Sequence, residues 1–347
     1  MAYTDIDKPS DYFNTKLYTG TGSSNSVTGV GFQPDWVWIK SRSDAQSNNI
    51  FDSVRGQGKL IFTDANSAEA TVTNRLTAFN SDGFTVVSDN AVNGSSKTYA
   101  SWNWLAGTSF TNDASSTGVG SIDSTASVSQ TAGVSIVKYI GTGSNETVAH
   151  GLGLAPEIMI CKNLSATENW VVYVKSLGNT KRLVLDTTGA VGTDATIFNS
   201  TTPNTTIFGI GENAGANGNG HGQIAYCFSS VKGYSKIGSY TGNGNADGTF
   251  IYTGFKPAFI IVKNTSSSTN WEMFDNKRVG YNPGNWHLKP NSSDAEDVGT
   301  VRLDILSNGF KIRTTGSNLN TSGNNYIYMA FAESPFVSST GVPATAR

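Results

Sequence analysis

The sequence predicts an all-β protein built from three tandem antiparallel β-sandwich modules of jelly-roll or lectin-like kind. Three observations carry that expectation. Short segments with bulky apolar residues at alternate positions, such as "DWVWIK", "NWVVYVK" and "YIYMAFA", dominate the chain. Clusters of Gly, Asn, Asp and Ser separate them, as turns between strands do. One ten-residue pattern, apolar run after proline and closing lysine, occurs three times: "GFQPDWVWIK", "GLAPEIMICK" and "GFKPAFIIVK".

The repeat defines the modules. A Tyr-x-Gly-x-Gly motif opens each copy at Tyr18, Tyr139 and Tyr240. The proline follows at Pro34, Pro156 and Pro257, and the lysine at Lys40, Lys162 and Lys263. Trp170 and Trp271 stand 14 residues past the proline in the second and third copies. Each copy closes on an aromatic strand in which Trp104, Phe228 and Phe331 are equivalent. A period of about 90 residues is too long for a solenoid rung and long enough for a small core. The expected division is residues 1–107 for the first module with an N-terminal arm, 108–132 for a Ser/Thr/Gly-rich linker, 133–232 and 233–336 for the second and third modules, and 337–347 for a tail. A flexible linker of that length places the first module apart from a coupled pair.

The Pro-strands have apolar residues on both faces: Trp36 and Trp38 against Val37 and Ile39, Ile158 and Ile160 against Met159 and Cys161, Phe259 and Ile261 against Ile260 and Val262. Such a strand is covered on both sides. Exchange of one bulky residue for another between copies is the behaviour of core packing, with a carbohydrate-stacking role for a tryptophan as the competing reading. "FNSDGFTVV" and "DILSNGFKIR" read as hairpins with Asp82-Gly83 and Asn308-Gly309 supplying positive φ. "SAEATVTNRLTAF" has weak helical character and ends as strand.

Composition excludes several classes. Charged residues make up 14% with a net charge of -2, and no basic run exists. A nucleic-acid partner needs a basic stripe, so none is expected. No apolar stretch reaches the ~18 residues of a membrane span, so no membrane insertion is expected. The opening "MAYTDIDKPSDYF" lacks the features of a signal peptide, which implies synthesis in a cytoplasm. Cys161 and Cys227 lie in apolar runs and read as buried free thiols.

Nothing in the sequence assembles a catalytic, metal or cofactor site. His150, His221 and His287 have no ligand spacing. The Gly-Asn-rich "GENAGANGNGHG" reads as a long exposed loop, and "NGNADG" as a turn, with calcium the competing reading. The closing lysines read as snorkelling at the wet end of a buried strand. One polar element recurs: Phe-Asp-x-x-Arg, giving Asp52 with Arg55 and Asp275 with Arg278, which the second copy replaces by "YVKSLGN". It reads as a turn clamped by an Asp–Arg contact, or as a site for an anionic or sugar ligand. Paired acids facing a cleft, as glycosidases need, are absent from any spacing seen, so a non-enzyme is expected.

The stretches "DKPSDYFNTKLYTGTG", "GFQPDWVWIKSRS", "FDSVRG", "SDGFTVVSD" and "YASWNWLAG" resemble a domain of structural proteins of marine bacteriophages, of tail-fibre or lectin-like type. The resemblance covers residues 5 to about 107 and continues more weakly through the later copies. It implies a virion component made in the host cytoplasm, with other virion proteins and copies of itself as partners, a trimer for a fibre. A tail fibre or spike that contacts host surface polysaccharide is the leading expectation. A capsid decoration protein, and behind it a glycan hydrolase, are the alternatives.

Overall fold

The computed structural model describes residues 3–344; the first two residues of the expected arm and the last three of the expected tail lie outside them. The fold is all-β and antiparallel. Its six sheets sort into three pairs, each a large sheet facing a small one.

The first large sheet runs, in spatial order, Phe13–Thr19, Thr98–Trp104, Trp36–Ser41, Asn49–Asp52, Lys59–Phe62 and Ala70–Thr71. The second repeats this order with Val134–Ile140, Gly222–Phe228, Ile158–Asn163, Val171–Val174, Lys181–Val184 and Gly192–Thr193. The third has Ser235–Thr241, Asn325–Pro335, Phe255–Asn264 and Trp271–Asp275, with Leu288 bridging Met273 where a further strand stands in the other two. In all three the Pro-strand lies between the closing aromatic strand and the strand that follows it. The small sheets join Asn25–Thr28 with Gly83–Val86 and Leu76–Asn80, Glu146–Ala149 with Ile207–Ile210, and Phe250–Tyr252 with Gly309–Ile312 and Leu303–Leu306.

Each pair encloses its own inner cluster. Val37 and Ile39 enter the first, Met159 and Cys161 the second, Ile260 and Val262 the third. The opposite faces of the three large sheets meet in one shared central cluster containing Trp36, Trp38, Ile158, Ile160, Phe259 and Ile261. The two-faced apolar pattern of the Pro-strands is thereby explained: one face serves the module, the other serves the assembly. Trp36 and Trp38 are each 1% exposed, as the core reading requires. Trp104, Phe228 and Phe331 touch pairwise, with ring centroids 6.5 Å, 5.9 Å and 5.6 Å apart, and so mark a pseudo-threefold axis. Phe13 stacks on Phe331 beside them.

The expected linker is not loose, and the first copy does not sit apart. Residues Thr108–Asn112 and Ser124–Ser129 are strands that extend the second large sheet beyond Val134–Ile140. Asp35 of the first copy ties the start of this segment down, accepting from the backbone of Ala106 and Gly107 and from the Ser127 hydroxyl. Alternation is present in "STASVS", with Ala126 and Val128 buried, but the side chains are too small to register as an apolar strand. "GENAGANGNGHG" is also more ordered than expected: it holds a helical turn, Ala214–Asn217, capped by Asn213.

The hairpins form with different turn chemistry. Asn80 pairs with Gly83 and Leu306 with Gly309, so the loop residues are Ser81-Asp82 and Ser307-Asn308. None of these four has positive φ. Gly83 has the expected positive φ, at 136°, and Gly309 does not; both are also required by close approach, since a Cβ on either would lie 2.0 Å from a carbonyl oxygen of the neighbouring strand. "SAEATVTNRLTAF" contains strand segments and no helix.

Because the axial ring is shared, truncation there is felt by every module. Phe228→Ala is expected to destabilise the chain by about 3–5 kcal/mol, measured as a shift of the denaturant midpoint.

Candidate functional site

The most concentrated polar chemistry lies at the junctions between copies. Asp52 accepts from the Arg55 backbone N–H at 2.8 Å and from its Nε at 2.5 Å. Arg55 also reaches Glu69 at 3.2 Å and the Ile50 carbonyl at 3.1 Å. The neighbouring copy completes the set: the Tyr226 hydroxyl donates to Asp52 Oδ2 at 2.6 Å. Asp275 and Arg278 repeat this geometry at 2.9 Å and 2.6 Å, with Glu296 and the Met273 carbonyl as further acceptors at 3.0 Å each. There the donor from the neighbour is Trp102 Nε1, 3.1 Å from Asp275 Oδ2. The Asp and Arg side chains of both sets are at most 1% exposed. Burial works against the Arg55 charge, yet Asp52 and Glu69 hold its guanidinium above its ordinary value. These four residues form a turn clamp that also reaches across a module junction.

The second copy replaces the whole set. By the Pro-frame, Val174, Leu177 and Val191 stand for Asp, Arg and Glu, and Met329 stands where the neighbour's donor would be. All four pack in or against the central cluster. One junction of three is therefore apolar where the others are ionic, and the exchange is complete, so no charge is left unpaired.

The three lysines correct the snorkelling expectation. Lys40, Lys162 and Lys263 are each 0% exposed. Each Nζ donates to a carbonyl of its own loop, of Gln46, Glu168 and Thr269 respectively. Each also donates to a carbonyl of the preceding copy around the axis: Ser293 at 2.8 Å, Asn66 at 2.9 Å and Thr188 at 2.9 Å. Beside them Asn48 Nδ2, Trp170 Nε1 and Trp271 Nε1 donate to Lys289, Phe62 and Val184 carbonyls at 3.1, 2.7 and 3.0 Å. Backbone bonds close the circle from Glu69 to Leu164, Val191 to Thr265 and Glu296 to Arg42. The equivalent lysines thus tie copy one to three, two to one and three to two.

A second recurring device holds the opening motif. Asn93, Asn217 and Asn320 are 0% exposed. Their Oδ1 atoms accept from the backbone of Thr21, Thr142 and Asn243 at 3.0, 2.8 and 2.9 Å. Their backbone neighbours explain the first motif glycine: a Cβ on Gly20, Gly141 or Gly242 would fall 2.2, 2.4 or 2.3 Å from a carbonyl oxygen. In the sequence this residue shows only as an Asn that precedes each closing strand.

Other polar groups are locally engaged. His150 is buried, accepting from Leu152 N–H and facing the Asn204 carbonyl, and burial takes its imidazole down to about 4. Glu272 and His287 lie 3.1 Å apart, both buried, with Arg302 and Asp297 near the imidazole. Burial pushes the Glu272 carboxyl up to about 7 and the His287 imidazole down to about 4. In "NGNADG" Asn243 and Asn245 accept from backbone N–H groups of their own loop, and Asp247 pairs with Lys311. Cys161 and Cys227 are buried free thiols. Among the described residues no group of His, Cys, Asp and Glu is arranged to hold a metal ion, and no helix is long and apolar enough to cross a membrane.

One family model, described as a domain of unknown function (DUF7483), matches residues 8–335. The chain belongs to that family. The match runs through all three copies without a break, in keeping with clamps that join them in a circle. No curated protein and no solved structure matches the chain.

Two outcomes follow from the junction chemistry. Asp52→Asn, which weakens one partner of a buried ion pair, is expected to cost about 3–5 kcal/mol, whereas the combined change Asp52→Val, Arg55→Leu, Glu69→Val and Tyr226→Phe, patterned on the second copy's apolar junction, is expected to be neutral or stabilising by about 1–4 kcal/mol; chemical denaturation of both variants checks this. Burial lowers Lys40, Lys162 and Lys263 from the ordinary 10.5 to about 8. Between these values the unfolded chain holds more protons, so their contribution to stability rises with pH. The thiols oppose this above pH 9, because burial raises Cys161 from 9.0 to about 12. The denaturant midpoint is therefore expected to climb from about pH 8 to 9, and to climb less in Lys162→Met.

Proposed function

We propose that this chain is a non-enzymatic structural protein of a bacteriophage virion, a tail fibre or spike component that contacts host surface glycans. The observation that carries the reading is where its polar chemistry lies. The recurring Asp, Arg and Lys side chains are buried, and the Asp and Lys side chains hydrogen-bond to neighbouring copies. That is the economy of a protein selected for a durable shape. The resemblance of the first copy to marine phage structural domains supports the virion setting. Low charge and Ser/Thr/Asn/Gly-rich loops support weak contacts with uncharged surface polymers, strengthened when many copies act together.

A capsid decoration role is favoured by one feature of its own. Three equivalent copies around one axis give a single chain the symmetry of a threefold position on a shell. Labelled antibody on intact particles separates the two: signal at the tail is expected, and signal over every capsomer would transfer the assignment to the shell. Free protein is expected to reduce adsorption of the particle to its host in a dose-dependent manner, and no reduction at saturation would remove the host-contact role. Release of new reducing ends from host polysaccharide at catalytic rates would replace a structural role with hydrolysis.

A further inference from the structure

The third copy departs from the other two in the length of one loop. From Arg278 to Leu288 it is four residues longer than from Arg55 to Ile61 or from Leu177 to Leu183. The extra length carries Tyr281 and Asn282 out over the end of the sandwich. Asn282 fastens it there, donating to the Ile305 carbonyl and accepting from Ile305 N–H, both at 2.8 Å. Gly284 N–H donates to the Leu303 carbonyl at 2.6 Å. Between this loop, the Leu303–Ile312 hairpin and the ends of strands Phe255–Asn264 and Asn325–Pro335 lies a cleft of about 910 Å³.

The lining has a definite chemical character. Tyr281 stands on the rim with 75% of its surface exposed. Exposed aromatic rings are scarce among the described residues, and three of the four, Phe250, Tyr252 and Tyr281, belong to the third copy. Asn276 and Asn308 contribute amides to the wall. The Asn276 Oδ1 is a buried acceptor with no partner, which in a native protein calls for a donor from elsewhere. Lys256 and Glu333 line the cleft as an ion pair at 2.7 Å, cancelling each other's charge. Asp275, at the base, is held by Arg278. The cleft therefore has hydrogen-bonding groups of both kinds, an aromatic face, and no uncompensated charge.

We propose that this cleft binds a neutral oligosaccharide. A pyranose ring offers an apolar C–H face for Tyr281 and hydroxyls that both donate and accept for the amides and the Lys256–Glu333 pair. A phosphate, sulfate or sialic acid would meet no free positive charge here. A concave site with few convergent polar groups on a fastened loop is the usual form of small-ligand sites. The inference rests on the surface-glycan part of the reading above and gives it a location, on one copy of the three.

The test is direct binding of the full chain to neutral gluco-, galacto- and N-acetylglucosamine oligosaccharides of four to six units, with a sialylated and a sulfated oligosaccharide as charged comparators, followed by titration calorimetry. At least one neutral ligand is expected to bind and the charged comparators to bind at least tenfold more weakly. Tyr281→Ala and Asn308→Ala are each expected to weaken binding tenfold or more with the melting temperature unchanged, while Tyr281→Trp retains it. No binding of any neutral oligosaccharide, preference for the charged ones, or full binding by Tyr281→Ala would overturn the assignment. Host adsorption still blocked by Tyr281→Ala protein would show that the cleft is wrong while host contact stands. Oligosaccharide binding without adsorption competition would show the reverse.

Discussion

The rest of the structure depends on the second apolar face of each large sheet. A sandwich needs one apolar face per sheet; these sheets have two. An exposed face of Trp36, Trp38, Trp102 and Trp104 would be a large hydrophobic patch, and such patches demand cover. Here the cover is the corresponding face of the other two copies. Three sheets turned toward one axis satisfy each other, and the ring of Trp104, Phe228 and Phe331 is where they meet. No copy is a complete domain in the sense of owning all of its core.

Burial at that scale gives attraction without direction. Orientation comes from the polar groups around the cluster. A buried ammonium with too few acceptors or an indole N–H with none is costly, so each lysine is fully satisfied, and each Trp170-like donor satisfied at all, only when the neighbouring copy is seated in one register. The same applies to Asp52 and Asp275, which take a hydrogen bond from the next copy's aromatic residue. Stability and specificity are thus supplied by different atoms. The second copy illustrates the division. With Val174, Leu177 and Met329 at its junction, it keeps the packing and dispenses with the ionic set, while Lys162 and Lys263 still fix the register on either side.

Much of this is written in the sequence, but only one copy at a time. The alternation of "DWVWIK" shows a strand buried on both faces, and the threefold recurrence shows equivalent settings. What the periodicity omits is the identity of the second cover, because water is excluded equally by another sheet of the same module or by a different copy. The lysines mislead for the same reason: a lysine ending an apolar run looks alike whether its ammonium meets water or a neighbour's carbonyl. Residues 108–132 hide their strands behind Ser, Ala and Thr, whose small side chains carry little hydrophobic signal. The Asp-x-x-Arg clamp is legible as a local turn; Tyr226 and Trp102, its partners more than 170 residues away, are not. The cleft beside Tyr281 leaves no trace in the sequence, because an insertion only becomes a wall once the hairpin it leans on has a position.

The most direct measurement of the shared-core account is native-state hydrogen exchange, resolved by peptide, over the central strands Trp36–Ser41, Ile158–Asn163 and Phe255–Asn264. One core means one global opening, so all three strands are expected to exchange with the same free energy and to respond equally to denaturant. Exchange of one copy's central strand through an independent, cheaper opening, with the other two still protected, would contradict it.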